Sequence, residues 1–214
     1  MKTLKFFILL FLTAGMANAQ SSENAQIALT DTFKNVLDLA HMSFTIPKDA
    51  IPVPVVKNKQ MHYEYAITFK DQPFEVRYAV SPMGYSVAEA YTGGKGITPR
   101  PIGATANDEM AKAIAFVVAT NVGGGIGDPN IKTGYFPAES VKKEFNADWG
   151  GTTLVELKNN SFGTDYKYCI MTTLHKNDLA SAYVFYLSDT KENLMKLLTN
   201  LIAKTGAFYA LKFK

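Results

Sequence analysis

Residues 152–187 read TTLVELKNNSFGTDYKYCIMTTLHKNDLASAYVFYL, and this stretch decides the class of fold. It holds three runs rich in β-branched and aromatic residues, at 152–157, 166–174 and 179–187, each about the length of a strand. Turn-forming Asn, Ser and Asp residues separate the runs, and connections this short join antiparallel neighbours. The stretch therefore predicts a three-strand antiparallel meander.

Upstream of the meander, two further segments have the period-two pattern of half-buried strands. Residues 63–69 and 74–80 each alternate large apolar side chains with other residues. The turn sequence Lys70-Asp71-Gln72-Pro73 joins them. The pair is predicted to form an antiparallel hairpin.

Four stretches carry helix signals, either the apolar spacing of an amphipathic helix or the end signals of a short one. These stretches are 21–42, 105–121, 136–145 and 191–204. The order of helices and strands predicts an α+β fold. We expect a mostly antiparallel sheet, made of the hairpin and the meander and covered by helices, in a single globular domain over 20–214.

The first 19 residues have the three-part layout of a secretory signal peptide. Two lysines lie in 1–5, an uncharged apolar run fills 6–14, and small residues end the segment at Ala19. A membrane-spanning helix needs ~20 apolar residues, about twice the length of this run. Gln20 stands where a lipoprotein would carry a cysteine. We expect cleavage after Ala19 and a periplasmic or secreted protein that keeps no stable membrane anchor.

The composition excludes several classes of protein. Hydrophobic residues make up 47% of the 214 residues and charged residues 19%, with a net charge of +3, which argues against disorder. Cleavage after Ala19 would remove two lysines and leave 20 basic and 19 acidic residues, a charge of +1. This balance gives no electrostatic reason to expect nucleic acid as a partner. The single cysteine, Cys169, cannot close an intrachain disulfide, and its apolar neighbours predict a buried side chain.

Asp148, Trp149 and Tyr135 are the candidate ligand contacts. The only tryptophan of the chain follows an acid and precedes two glycines. An exposed aromatic ring beside a carboxylate can stack on sugars or other planar groups. The competing interpretation is that the indole closes one end of the core.

The sequence contains no motif for catalysis, a cofactor or a metal. His41, His62 and His175 lack metal-ligand spacing, and no Gly-x-Ser-x-Gly elbow is present. We therefore predict no catalytic, cofactor-binding or metal-ligating residue. A site assembled from distant residues stays open, and its anchors would be His62 with Glu64 on one strand, or Asp148 beside Trp149.

Residues 81–104 are rich in Gly and Pro and predict a long loop. Such a loop is either a plain surface excursion or a binding segment. Tyr85 and Tyr91 lie within it, outside the strand patterns that explain most aromatic residues as core. They are candidates to line a ligand groove or a partner contact.

The chain resembles the PsbP-like superfamily of exported or lumenal α+β domains. The resemblance rests on Phe44-Thr45-Ile46-Pro47, the strand pair at 63–80, the meander, and the helix at 191–204 with its closing Leu211-Lys212-Phe213. It implies a non-enzymatic accessory role, in which the domain binds or steadies a larger assembly.

We therefore expect an exported soluble protein that acts as a non-catalytic binding or accessory module of the cell envelope. Its partner would be an unknown envelope protein or a small ligand, and no cofactor is expected. The alternative is a periplasmic or secreted hydrolase with a site assembled from distant residues.

Overall fold

The computed structural model describes residues 29–102, 109–125, 131–158, 160–196 and 202–214. Within these ranges it combines helices with a mostly antiparallel sheet, so the predicted α+β class is confirmed. The predicted signal peptide at 1–19 lies outside the described residues. The same is true of 21–28, 105–108 and 197–201, which belong to three of the predicted helices.

The described residues form six helices and nine strands. The helices are α1 (Asp31–Leu39), α2 (Val87–Tyr91), α3 (Glu109–Val122), α4 (Ala138–Phe145), α5 (Lys191–Lys196) and α6 (Ile202–Thr205). The strands are β1 (Met42–Phe44), β2 (Ala50–Pro52), β3 (Tyr65–Phe69), β4 (Phe74–Pro82), β5 (Thr133–Tyr135), β6 (Trp149–Glu156), β7 (Tyr168–Lys176), β8 (Ala180–Ser188) and β9 (Leu211–Phe213). Short 3₁₀ turns cover Ser161–Gly163 and Ala207–Tyr209.

The main sheet has seven strands in the order β2-β3-β4-β8-β7-β6-β5, and every neighbouring pair is antiparallel. The long pairing of β4 with β8 runs from Phe74 opposite Ser188 to Pro82 opposite Ala180, and it joins the two halves of the sheet. A separate two-stranded ladder pairs β1 with β9. The sheet's end strands β2 and β5 are only three residues long. Short end strands limit the unpaired edge that a sheet exposes.

Both faces of the main sheet are covered. Its central strands therefore carry mainly apolar side chains on both faces. On one face lie α1, α2, α4, α5 and the β1–β9 ladder, which bury residues such as Phe33, Val141 and Leu194. On the other face lie α3 and the loop at 157–166, with Val118 and Phe162 in the buried cluster. The molecule thus has two cores separated by one sheet.

The structure differs from the sequence expectation in two local places. The segment at 81–104 is not a plain loop in its described part, because β4 continues to Pro82 and α2 follows directly. Ser86 starts α2 with a capping box in which its hydroxyl accepts from the Glu89 N–H and the Glu89 carboxylate accepts from the Ser86 N–H. Trp149 opens strand β6, whereas the sequence suggested a turn.

Arg77 on β4 is the most unusual side chain of the core, with only 1% of its surface exposed. Its Nε donates to the Glu75 carboxylate at 2.6 Å, and its guanidinium also donates to the backbone carbonyls of Phe162 and Gly163. The guanidinium carbon lies 4.6 Å from the ring centre of Tyr63 and 4.7 Å from that of Phe162. An arginine is tolerated in a core only when its charge and its donors are satisfied in this way.

The loop that Arg77 holds has a strained backbone. Phe162 has a φ of +61°, a left-handed conformation that a bulky side chain rarely adopts. Its ring is buried against Phe185, with ring centres 4.8 Å apart, and Ser161 donates to the Val122 carbonyl at 2.7 Å. Contacts on three sides therefore compensate the unfavourable backbone conformation.

Cys169 is fully buried in β7, as its apolar neighbours predict. Burial raises the pKa of its thiol, so the thiolate needed for nucleophilic chemistry is disfavoured. In the described part of the chain, every helix is too short or too polar to cross a membrane.

Replacing Arg77 by Met should lower the free energy of unfolding by about 2–4 kcal/mol, because the buried Phe162 carbonyl, the partly buried Gly163 carbonyl and the Glu75 carboxylate lose their donor. Urea unfolding followed by circular dichroism measures this. The matched control is Arg100→Met, since the only other arginine of the chain pairs with Glu89 while half exposed. That variant should lose less than about 1 kcal/mol. Equal losses in the two variants would contradict the role of Arg77.

Candidate functional site

The best-formed site lies where the chain between β2 and β3, here called the 53–64 connector, passes α1 and α2. The connector is shaped by its own polar groups. The Asn58 side-chain oxygen accepts from the backbone N–H groups of Gln60 and Met61, at 3.0 Å each. The Tyr63 hydroxyl accepts from the Val56 N–H at 2.7 Å, which holds the two ends of the bend together.

Glu64 ends the connector and is the chemical centre of the site. Only 6% of its surface is exposed. One carboxylate oxygen accepts from the Tyr91 hydroxyl at 3.0 Å, and the other accepts from the Val80 N–H at 2.9 Å. The backbone N–H of Glu64 donates to the Tyr78 carbonyl at 2.9 Å, which fixes the residue to β4.

Glu64 has no cationic partner among the described residues. Burial raises the pKa of this carboxyl to about 7, although the hydrogen bonds from Val80 and Tyr91 oppose the increase. The pKa of Tyr91 is raised as well, first by burial and then by the nearby carboxylate, so its hydroxyl keeps its proton and donates. Near neutral pH, Glu64 is therefore present in both the acid and the carboxylate form.

A cavity of about 510 Å³ opens beside Glu64, and we call it the Glu64 pocket. Its lining combines aromatic, aliphatic and a few polar side chains: Thr30, Thr32, Val55, Val56, Lys57, Asn58, His62, Tyr63, Glu64 and Tyr91. A smaller cavity of about 150 Å³ adjoins it and shares His62, Glu64 and Tyr91. Volume and lining are those of small-molecule sites, which are mainly apolar with a few placed polar groups.

Three chain segments build the walls of the Glu64 pocket. Thr30 caps α1, and its hydroxyl accepts from the Phe33 N–H at 3.2 Å. The Asn35 amide on α1 donates to the Tyr91 carbonyl at 2.8 Å, which ties α2 to α1. The 53–64 connector supplies the remaining wall. The Tyr91 hydroxyl thus reaches Glu64 because the capping box of α2 and the contact with α1 fix the helix.

The predicted contacts Asp148, Trp149 and Tyr135 lie together at another place, across strands β5 and β6. The rings of Tyr135 and Trp149 meet edge to face with centres 6.2 Å apart, and Trp149 stacks on His175 at 5.5 Å. The Asp148 carboxylate accepts from the Asn177 N–H at 2.8 Å, so it fixes the turn between β7 and β8. The Trp149 indole N–H is buried without a hydrogen-bond partner in the described structure. A ligand contact at this cluster stays a prediction.

Beneath Trp149, His175 contacts a serine, which is the combination that acyl-transfer enzymes use. Its Nδ1 lies 2.9 Å from the Ser181 hydroxyl and its Nε2 lies 3.1 Å from the Asn177 side-chain oxygen. The imidazole is completely buried, however, and Ser181 is its direct cross-strand neighbour. A fully covered base cannot pass a proton to a leaving group, so we interpret the pair as a structural hydrogen bond.

The described residues contain no group of three or more His, Cys, Asp or Glu side chains placed to hold a metal ion. The pair singled out in the sequence, His62 and Glu64, does line one cavity. Tyr91, one of the two tyrosines that strand patterning left unexplained, lines it too. Sequence reasoning did not single out Val80, because its backbone N–H, not its side chain, contacts the carboxylate.

Comparison with known proteins adds no family. No protein-family model matches the chain, and a search of curated proteins finds no significant match. The PsbP-like resemblance stays a prediction, and the Glu64 pocket is interpreted from its own geometry.

Replacing Glu64 by Gln should change how stability depends on pH. A carboxyl whose pKa rises from 4.5 to about 7 on folding takes up a proton in the folded state, so stability falls as pH rises through this window. Gln can accept from the Val80 N–H through its side-chain oxygen and donate from its NH₂ group to the Tyr91 hydroxyl oxygen, and it does not titrate. The stability of Glu64→Gln relative to the wild type should therefore increase by about 2–3 kcal/mol between about pH 4.5 and pH 8.

Urea unfolding at both pH values measures this difference. The control is Glu109→Gln, which removes a well-exposed acid paired with Lys112. It should show no such relative gain at the higher pH. A pH-independent difference between Glu64→Gln and the wild type would contradict the raised pKa.

Proposed function

We propose that this chain is an exported binding module of the cell envelope that holds a small molecule in the Glu64 pocket and performs no catalysis. The observation that carries the proposal is a cavity of about 510 Å³ with aromatic and aliphatic walls and one buried carboxyl that lacks a charged partner among the residues the structure describes. A buried ionisable group without a partner costs stability, so its presence in a cleft marks a functional site.

Export is supported by the signal-like segment at 1–19. The scaffold we propose is the hairpin plus three-strand meander that the sequence predicts, with the Glu64 pocket at the start of the hairpin. An accessory role of the PsbP-like kind is compatible with this proposal, since ligand binding would then regulate or support attachment to an envelope partner.

A pocket-filling substitution tests the proposal. Val55 lines the pocket and is 44% exposed, so Val55→Trp should fill the cavity without disturbing either core. The matched control is Ile51→Trp, at an aliphatic residue on β2 that is also 44% exposed but does not line the Glu64 pocket. Ligand-observed NMR with a library of small aromatic and aliphatic fragments gives the readout.

We expect fragments that bind the wild type and Ile51→Trp with equal affinity, and that bind Val55→Trp roughly tenfold or more weakly. If no fragment binds the wild type, or if Val55→Trp binds the same fragments equally well, the Glu64 pocket is not a ligand site and the proposal is wrong.

The second candidate function is hydrolysis, and one observation favours it. Glu64, with its pKa near 7, shares the pocket with His62, and a carboxyl poised near the working pH suits general acid–base chemistry. Turnover of ester, amide or glycoside chromogenic substrates, lost by at least about 100-fold in Glu64→Gln, would establish it. Turnover that survives in Glu64→Gln would exclude Glu64 as the general base, and absence of turnover supports a binding module.

A further inference from the structure

The chemistry of the Glu64 carboxyl indicates what kind of molecule the pocket accepts. A carboxylate offers about four acceptor positions, and here two are used, by the Tyr91 hydroxyl and the Val80 N–H. Lys57 is the only lysine or arginine in the pocket lining, and it forms no ion pair with Glu64. The buried carboxylate is therefore left with spare acceptors and without a counter-charge.

We propose that the ligand of the Glu64 pocket carries a primary ammonium group that pairs with the Glu64 carboxylate, and an apolar body that fills the rest of the cavity. This inference rests on the proposed binding function. An ammonium group has three N–H donors, and two of them are enough for the two free acceptor positions of the carboxylate. It also supplies the positive charge that a buried carboxylate needs to remain ionised.

The walls of the pocket suit a cation with an apolar body. The rings of His62 and Tyr91 meet edge to face with centres 6.5 Å apart beside Glu64, and aromatic rings such as that of Tyr91 attract cations. The Tyr63 ring already carries the Arg77 guanidinium over one face. Val55 and Val56 supply the aliphatic surface on which the body of the ligand would pack.

Other ligand classes fit this lining less well. An anionic group beside Glu64 would face a like charge at low dielectric, which is strongly unfavourable. A neutral alcohol or amide could hydrogen-bond to Glu64, but would leave the carboxylate uncompensated. Of these ligand classes, an ammonium compound has the most favourable interaction with the ionised Glu64 carboxylate.

The proposal predicts a specific pH dependence. Below about pH 7 Glu64 holds a proton and has no charge to offer, whereas above it the carboxylate can pair with the ligand. The ammonium of a primary alkylamine stays charged over this range. The titratable or charged side chains that line the pocket beside the carboxyl are Tyr91 from α2 and Tyr63, His62 and Lys57 from the 53–64 connector. The control is Ile51→Trp, a substitution outside the Glu64 pocket.

Three probes of one shape but different charge test the proposal: phenethylamine, phenethyl alcohol and hydrocinnamate. Calorimetry or NMR titration of the full mature chain gives their affinities at about pH 8 and pH 5.5. Phenethylamine should bind roughly ten- to hundredfold more tightly than the alcohol at the higher pH, as expected for a charged hydrogen bond. This preference should fall to within about twofold in acid and in Glu64→Gln at either pH. It should persist in Ile51→Trp, which lies outside the pocket.

Each alternative outcome has a separate meaning. If the alcohol binds as tightly as the amine, or if hydrocinnamate binds best, the cation proposal is wrong while the pocket remains a ligand site. If none of the three probes binds, the amine proposal fails, and the fragment screen with Val55→Trp decides the proposed function independently.

A measurement on the wild type alone covers the case in which Glu64→Gln does not fold. The carboxyl resonance of Glu64, followed by carbon-13 NMR, should titrate at lower pH when phenethylamine is bound than when it is absent, because the ammonium stabilises the carboxylate. An unchanged titration with the probe bound would overturn the proposal.

Discussion

The contact between Arg77 and the 157–166 loop is the constraint on which the two-core architecture depends. Both faces of the seven-stranded sheet are covered by other parts of the chain. On the face where α3 lies, the 157–166 loop completes the cover in place of a second helix. Arg77 satisfies two carbonyls of that loop from the centre of the sheet, while Glu75 balances its charge. Without these bonds the loop would bury backbone carbonyls that have no donor, which a core does not tolerate.

The same arrangement positions the Glu64 pocket. Tyr63, whose ring packs against the Arg77 guanidinium, precedes Glu64 directly, and its hydroxyl fixes the bend of the 53–64 connector through Val56. The core arginine and the pocket carboxyl are therefore linked through one tyrosine. The sheet holds one wall of the pocket in place, and the contact between α1 and α2 holds the opposite wall.

The fold was predictable from the sequence to the extent that apolar patterns determine it. The runs at 166–174 and 179–187 carry apolar residues on both faces with few polar interruptions, which is the pattern of strands buried on both faces. The burial of Arg77 was not predictable, since alternation along 74–80 assigns it to the solvent face. That face is covered by α3 and the 157–166 loop, and single-strand periodicity cannot detect a layer contributed by residues 85 positions away.

The site was predictable only in part. His62 and Glu64 could be proposed as a pair because they are two residues apart on one strand pattern. Tyr91 could be singled out as an aromatic residue outside any strand, and Ser86-x-x-Glu89 is the local signal for the start of its short helix. Tyr91 reaches His62 and Glu64 only because α1 contacts α2. This tertiary contact joins segments that are far apart in the chain, so local sequence patterns do not predict it.

The β1–β9 ladder has a consequence for the order in which the chain folds. Met42 pairs with Phe213, and the Lys214 N–H donates to the His41 carbonyl. Strand β1 therefore cannot form its backbone hydrogen bonds until residues about 170 positions later have been synthesised. During synthesis β1 and the adjacent face of α1 stay without their partner until the end of the chain emerges. Pairing of such distant segments is slow, because the loop between them must close first. The β1–β9 ladder is therefore expected to close late in folding.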